Sequence, residues 1–135
     1  MYNLSNKAQR TIKVLNEIMK QEKIDYEIIV VDDGSIDDTY IKALEVANER
    51  TKVLHYEDNK GKGYALLYGF KYSDGDIILF FDGDLDIPAG QIKLLLKVIE
   101  KSDVDCVITS KWHPQSKVLA TPMRKLMSRL FNFLV

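Results

Sequence analysis

Ile77-Ile78-Leu79-Phe80-Phe81-Asp82-Gly83-Asp84-Leu85-Asp86 is the stretch that decides how this chain is read. An unbroken run of large apolar residues bounded by polar ones predicts a strand buried on both faces, as in a parallel sheet. At its end the run gives way to alternating carboxylates, Asp82, Asp84 and Asp86. Carboxylates this close repel one another when ionised, and a cation relieves the repulsion. Hard oxygen donors on a short loop suit Mg²⁺ or Mn²⁺, and such an ion would in turn hold phosphate oxygens. The plainer alternative is a polar turn in which one Asp caps the following helix.

Upstream of that stretch, helical and strand patterns alternate, which predicts a parallel sheet covered by helices. Ala8, Ile12, Leu15, Ile18 and Met19 recur at helical spacing, so a helix is expected over about 7–20, capped by Ser5 or Asn6. Tyr26 to Val31 is a β-branched run expected to be a central strand. It ends in Asp32-Asp33-Gly34-Ser35, and Asp37 or Asp38 caps a helix reaching about Asn48. Lys52 to Tyr56 reads as a short strand, Asp58 to Gly63 as a loop and Tyr64 to Tyr72 as a helix. Gly61 and Gly63 free the backbone near that helix start, where N–H groups and Lys62 could meet an anion. This is neither the dinucleotide fingerprint nor a P-loop, and a flexible turn is the plainer reading. Downstream, Pro88 suits a first helical turn and Ile92, Leu95, Leu96 and Ile99 mark a buried face. Val104 to Thr109 reads as a further strand, 110–114 as a loop, and a last helix starts near Pro122.

With 135 residues the chain is expected to be one domain, residues 1–135. A hydrophobic content of 46% with 29% charged residues fits a soluble globular protein, and a net charge of −1 gives no case for bulk nucleic-acid binding. No Asp or Glu follows Asp105, while Lys111, Lys117, Arg124, Lys125 and Arg129 do. That basic tail suits phosphates or an anionic membrane surface, with a solvated helix face as the bland alternative. Leu126, Leu130, Phe131 and Phe133 form an apolar face for a membrane, a partner or the sheet itself. Cys106 is the sole cysteine, read as a buried inert thiol. The sequence shows no secretory leader pattern and no bilayer-length apolar run, so a reducing cytoplasmic setting, peripheral to a membrane at most, is expected. His55, His113 and Trp112 read as packing or surface residues.

In open parallel sheets ligands gather beyond the carboxyl ends of the strands. Asp32 and Asp33, the Gly61–Gly63 loop, Asp82 to Asp86 and Lys111 all follow strands or precede helices on that edge. Their convergence points to a site where a metal and a phosphorylated ligand meet.

These residues also resemble a known family. Val30-Val31-Asp32-Asp33-Gly34-Ser35, with Asp37 and Thr39, is similar to the first signature of family 2 glycosyltransferases. Asn59, Gly61-Lys62-Gly63, Ala65 and Gly69 resemble its second block, and Phe81 to Asp86 with Pro88 its DxD metal motif. Ser110-Lys111, Arg124, Ser128 and Asn132 resemble a later segment of the dolichyl- and polyprenyl-phosphate mannosyl- and glucosyltransferase branch. The resemblance implies an α/β, Rossmann-like GT-A fold that binds a UDP- or GDP-sugar with a divalent ion. It places Asp32, Asp33, Gly34, Ser35, Lys62 and Gly63 at the donor, and Asp82, Asp84 and Asp86 at the metal, with Asp82 also serving the diphosphate. Lys111 and Arg124 would face the phosphates of donor or acceptor. Transfer to a polyprenyl phosphate would invert the anomeric centre, and no catalytic base is identified.

The chain departs from that family in three ways. Relatives open with an apolar strand ending near Pro-x-Tyr-Asn-Glu, whereas here Tyr2-Asn3 begins the chain and Leu4 stands where Glu is usual. The first strand is therefore expected to be missing, leaving an edge that another segment or a second copy could fill. Lys111 stands where Arg is usual, and the chain stops at Val135 where relatives continue. Two alternatives remain. One is a non-catalytic nucleotide-sugar-binding or oligomerising module. The other is a receiver domain with Asp82 as phosphoacceptor, which leaves the Gly61–Gly63 block unexplained.

Overall fold

The computed structural model describes residues 1–110 and Met123. Two compact units divide the chain, Met1–Lys97 and Val98–Val135. The first carries α1 (Ser5–Gln21), β1 (Ile28–Asp33), α2 (Thr39–Leu44), β2 (Thr51–Tyr56) and α3 (Lys62–Phe70), and α4 (Gln91–Lys101) begins in it. β1 and β2 pair in parallel, from Ile28 opposite Thr51 to Asp33 opposite Tyr56. This is the expected α/β arrangement of parallel strands with flanking helices.

Side chains alternate across a strand, and β1 uses both faces. Val30 joins Ile12 of α1 and Ala43 of α2 in the core, with Ile28, Val46, Val53 and Met1 packed against it. Ile29 and Val31 face α3: a Cβ on Gly69 would sit 3.0 Å from Val31 and 3.7 Å from Ile29. Gly69 thus lets helix and strand approach closely.

α1 is amphipathic as its spacing predicts, burying Ala8, Thr11, Ile12 and Asn16. Its first amides are met from outside the helix. Thr39 Oγ1 accepts the Leu4 N–H at 2.7 Å and an Asp37 carboxylate oxygen accepts that of Ser5 at 3.2 Å. This satisfies donors that a helix start leaves unpaired and ties α1 to the α2 turn. Buried Asn16 accepts from Tyr26 Oη at 2.8 Å and donates to Thr51 Oγ1 at 3.3 Å, joining α1 to the amino-terminal ends of both strands.

Two expected strands are not formed. Ile77 to Phe81 lies outside any helix or strand, and Ile77, Ile78, Leu79 and Phe80 are 39–56% exposed. The apolar run predicts a strand buried on both faces, but burial of a strand requires partners for its amides and carbonyls. Among the described residues the sheet has only β1 and β2. On the β1 edge away from β2, Met1 takes two groups: its carbonyl accepts the Asp33 N–H at 2.8 Å and its amino group donates to the Val31 carbonyl. Val104 to Thr109, in the second unit, is likewise unpaired, and Cys106 is exposed rather than buried. Lys111, Trp112, His113 and Arg124 lie outside the described residues. Met123 is helical and exposed. No helix among the described residues is long and apolar enough to cross a membrane.

Ile12 is fully buried at the junction of α1, α2 and β1. Ile12→Ala is expected to cost about 2–5 kcal/mol of unfolding free energy, measured by urea denaturation at unchanged slope.

Candidate functional site at the carboxyl edge of the sheet

The alternation that gives β1 two faces also separates its last two side chains. Asp32 continues the Val30 face and Asp33 the Val31 face. Both are buried, at 0% and 4% exposure. A buried carboxylate demands donors, and each finds them on its own side.

Asp32 Oδ2 lies 2.8 Å from Nδ1 of His55, its neighbour in the β1–β2 register, and Oδ1 accepts from Ser35 Oγ. The Tyr40 ring stacks on His55 with centroids 4.6 Å apart. Asp33 Oδ1 accepts from Tyr56 Oη at 2.7 Å and from the Lys60 N–H at 2.9 Å. The Asn59 side-chain amide donates to the Asp33 carbonyl at 2.9 Å. Burial, reinforced by the Asp33 carboxylate, pushes the Tyr56 phenol above its usual range. Lys60 extends over Tyr56 and Tyr64, 5.5 and 4.8 Å from the ring centroids, and Tyr56 meets Tyr64 and Tyr68 edge-on.

Gly34 locks the loops after β1 and β2 together. Its φ is +66°, and a Cβ there would lie 2.5 Å from the Asn59 amide nitrogen and 2.7 Å from both the Asp58 carbonyl carbon and the Glu57 oxygen. Only a residue without a side chain fits.

The acidic stretch 82–86 reaches the same edge. Asp82 pairs with Lys62, at the start of α3, at 2.5 Å. Thr11 Oγ1 donates to the Gly83 carbonyl at 2.8 Å, and Lys7 Nζ to the Asp84 carbonyl at 3.3 Å. Asp84 Oδ1 accepts the Asp86 N–H at 3.0 Å, closing a turn in which Leu85 takes φ +59°. Burial lowers the pKa of the Met1 amino group, while Asp32, Asp33 and Asp82 each pull it upward.

Asp32, Asp33, Gly34 and Ser35 are thus brought together with the 57–63 loop, and Lys62 with Asp82. Gly63 lies in the first turn of α3. Asp82, Asp84 and Asp86 are not gathered: no group of three or more His, Cys, Asp or Glu side chains among the described residues is placed to hold a metal ion. The physical reason is charge. Neighbouring carboxylates repel one another, and the Lys62 ammonium supplies the local positive charge at Asp82. The donor chemistry still suits a hard divalent ion, since Asp82 and Asp84 offer only oxygen ligands on one short, partly exposed turn.

His55, Tyr56 and Lys60 were not singled out as ligands from the sequence. The signal that finds them is the strand register, which sets His55 opposite Asp32 and Tyr56 opposite Asp33.

The sequence matches the family described as Glycosyl transferase family 2 over residues 2–134. It is 38% identical to a dolichol-phosphate mannosyltransferase of Pyrococcus furiosus across 78% of this chain and 30% of that protein. It is 34% identical to an undecaprenyl-phosphate 4-deoxy-4-formamido-L-arabinose transferase of Yersinia enterocolitica across 82% of this chain and 33% of that one. It is 29% identical to the glycosyltransferase AglD of Haloferax volcanii across 99% of this chain and 22% of that one. The chain therefore spans a third or less of the length of these three relatives.

Two outcomes are expected of this geometry. Gly34→Ala should lower stability by about 2–3 kcal/mol, from left-handed strain and the clash with the 57–59 backbone, seen as a lower denaturation midpoint. Tyr56 has a raised folded pKa, so the stability it contributes is complete below the ordinary phenol value of about 10 and is lost as pH rises through the folded value. Alkaline unfolding curves should fall more steeply for the wild-type chain than for Tyr56→Phe.

Proposed function

Since the chain belongs to glycosyl transferase family 2, we propose that it serves transfer of a hexosyl group from a UDP- or GDP-sugar to a polyprenyl phosphate, with inversion at the anomeric carbon. The observation that carries this reading is Asp33, buried at the strand end with Oδ1 saturated by Tyr56 and Lys60. Its other oxygen makes no hydrogen bond among the described residues, and the Lys62–Asp82 pair stands on the same rim.

In this reading Asp33 accepts a hydrogen bond from the nucleoside. Lys62 exchanges Asp82 for the donor's diphosphate, where its ammonium offsets charge on the leaving group. Asp82 and Asp84, with Asp86 beside them, would hold Mg²⁺ or Mn²⁺. When bound, the ion supplies further neutralisation of the departing nucleoside diphosphate. Lys111 and Arg124 are assigned to the phosphates by the family resemblance. An acceptor phosphate oxygen forms the bond to the anomeric carbon as the bond to the diphosphate oxygen breaks, and that oxygen keeps the electron pair. The acceptor is already an anion, so the step requires no proton abstraction. The names of the Pyrococcus and Yersinia relatives favour such an acceptor. A peripheral position on the cytoplasmic face of a membrane suits both the lipid and the basic tail.

The test is a thermal-shift panel of UDP- and GDP-sugars with and without Mn²⁺, paired with transfer of radiolabelled sugar to a polyprenyl phosphate. A donor at a hundred times its dissociation constant should add about 2.7 kcal/mol. Asp33→Asn should abolish the nucleotide shift and Asp84→Asn its metal dependence. A shift without transfer would favour a binding module, and no shift with any nucleotide would sink the donor site.

A further inference from the structure

We infer that His55 is a positioning residue: its Nδ1–H fixes the buried Asp32 carboxylate and, through it, Ser35 and the Gly34 turn that present Asp33 to the nucleoside. The inference rests on the nucleotide-binding reading above.

Asp32 is fully buried, and its described donors are two, the Ser35 hydroxyl on Oδ1 and the His55 ring on Oδ2. A carboxylate only accepts, so Nδ1 is the donor and carries the proton. Tyr40, stacked at 27° to the imidazole, fixes the ring plane from the other side. The chain of bonds continues outward. Ser35 commits its hydrogen to Asp32, and its oxygen accepts the Asn3 N–H at 2.9 Å. Asn3 Oδ1 in turn accepts the Ile36 N–H at 3.1 Å. Ser35, Ile36 and the Gly34 turn are therefore set by one carboxylate orientation.

The coupling to Asp33 is mechanical. Gly34 lies against the backbone of residues 57–59, so the turn has no room to absorb a shift of Ser35. Asp33 precedes that glycine directly and takes the Lys60 N–H from the same loop. Removing the His55 donor leaves an oxygen of Asp32 buried and unsatisfied, a state that proteins avoid by moving or protonating the group. Either response alters the turn on which Asp33 depends. The other ionisable groups acting near Asp32 are bonded elsewhere: the Met1 amino group donates to the Val31 carbonyl and the Tyr56 phenol to Asp33.

The experiment is calorimetric titration of the full chain with UDP and with GDP, each with Mn²⁺, for wild type, Asp33→Asn, His55→Asn and His55→Leu. The Asn amide nitrogen stands where Nδ1 does, whereas Leu, of similar size, has no donor. Both lose the Tyr40 stack, so the difference between them reports the hydrogen bond. His55→Leu is expected to weaken nucleotide binding about tenfold or more, and His55→Asn to restore it to within about threefold of wild type. Binding by His55→Leu equal to wild type, or equal weakening by both variants, would overturn the role of His55 while leaving the donor site standing, provided Asp33→Asn still loses affinity. Failure of the wild-type chain to bind either nucleotide would overturn both readings together. Ring ¹⁵N spectra of the wild type decide the matter even if His55→Leu does not fold. A ring carrying a proton on Nδ1 supports the inference, and one with Nδ1 bare rejects it.

Discussion

Two adjacent carboxylates buried at the end of β1 impose the strictest demand in this structure. An isolated buried charge is far costlier than any single apolar contact is favourable, so the surrounding chain has to deliver donors. Strand alternation divides the task. Asp32 is served from the α2 side by Ser35 and His55, and Asp33 from the α3 side by Tyr56 and Lys60. The fold between those donors follows from the need to bring them there. β2 runs parallel to β1 so that His55 and Tyr56 fall opposite the pair, and Gly34 allows the two loops to touch.

The remaining charges on the rim are more loosely held. Lys62 and Asp82 are both well exposed, and pairs of that kind contribute on the order of 0–1 kcal/mol. The contrast separates a rigid half of the site from an exchangeable half. In the proposed reading, the half carrying Asp33 is already bonded before a nucleoside arrives. The half carrying Asp82, Asp84 and Lys62 is held by contacts weak enough for an incoming diphosphate and its counter-ion to replace. The proposed sugar transfer would use both properties: a fixed address for the nucleoside, and charges that can rearrange around a leaving group.

Much of this was legible in the residues. Helical spacing located α1, β-branched runs located β1 and β2, and the Asp-Asp-Gly-Ser and Asp-Gly-Asp stretches marked the rim. The errors share a cause. Ile77 to Phe81 and Val104 to Thr109 were read as strands because apolarity measures a tendency to leave water, whereas a strand also needs a neighbour with free amides and carbonyls. Cys106 was read as buried on the strength of the same unpaired run, and it is exposed. His55 reads as a packing or surface residue because a single histidine has no partner spacing within the sequence. Its partner is set by the register of two strands more than twenty residues apart, which no local pattern encodes.

The unpaired apolar run carries its own hazard. Four large apolar side chains stand partly in water beside open backbone groups, the composition that drives chains to stack edge to edge into insoluble fibrils. The residues around it oppose that outcome. Asp74 and Asp76 precede the run and Asp82, Asp84 and Asp86 follow it, so two molecules aligning these segments would bring like charges into register. The acidic motif whose chemistry suits a cation thus doubles as a gatekeeper for solubility. A bound divalent ion, by neutralising it, would loosen that guard at the moment the site is filled.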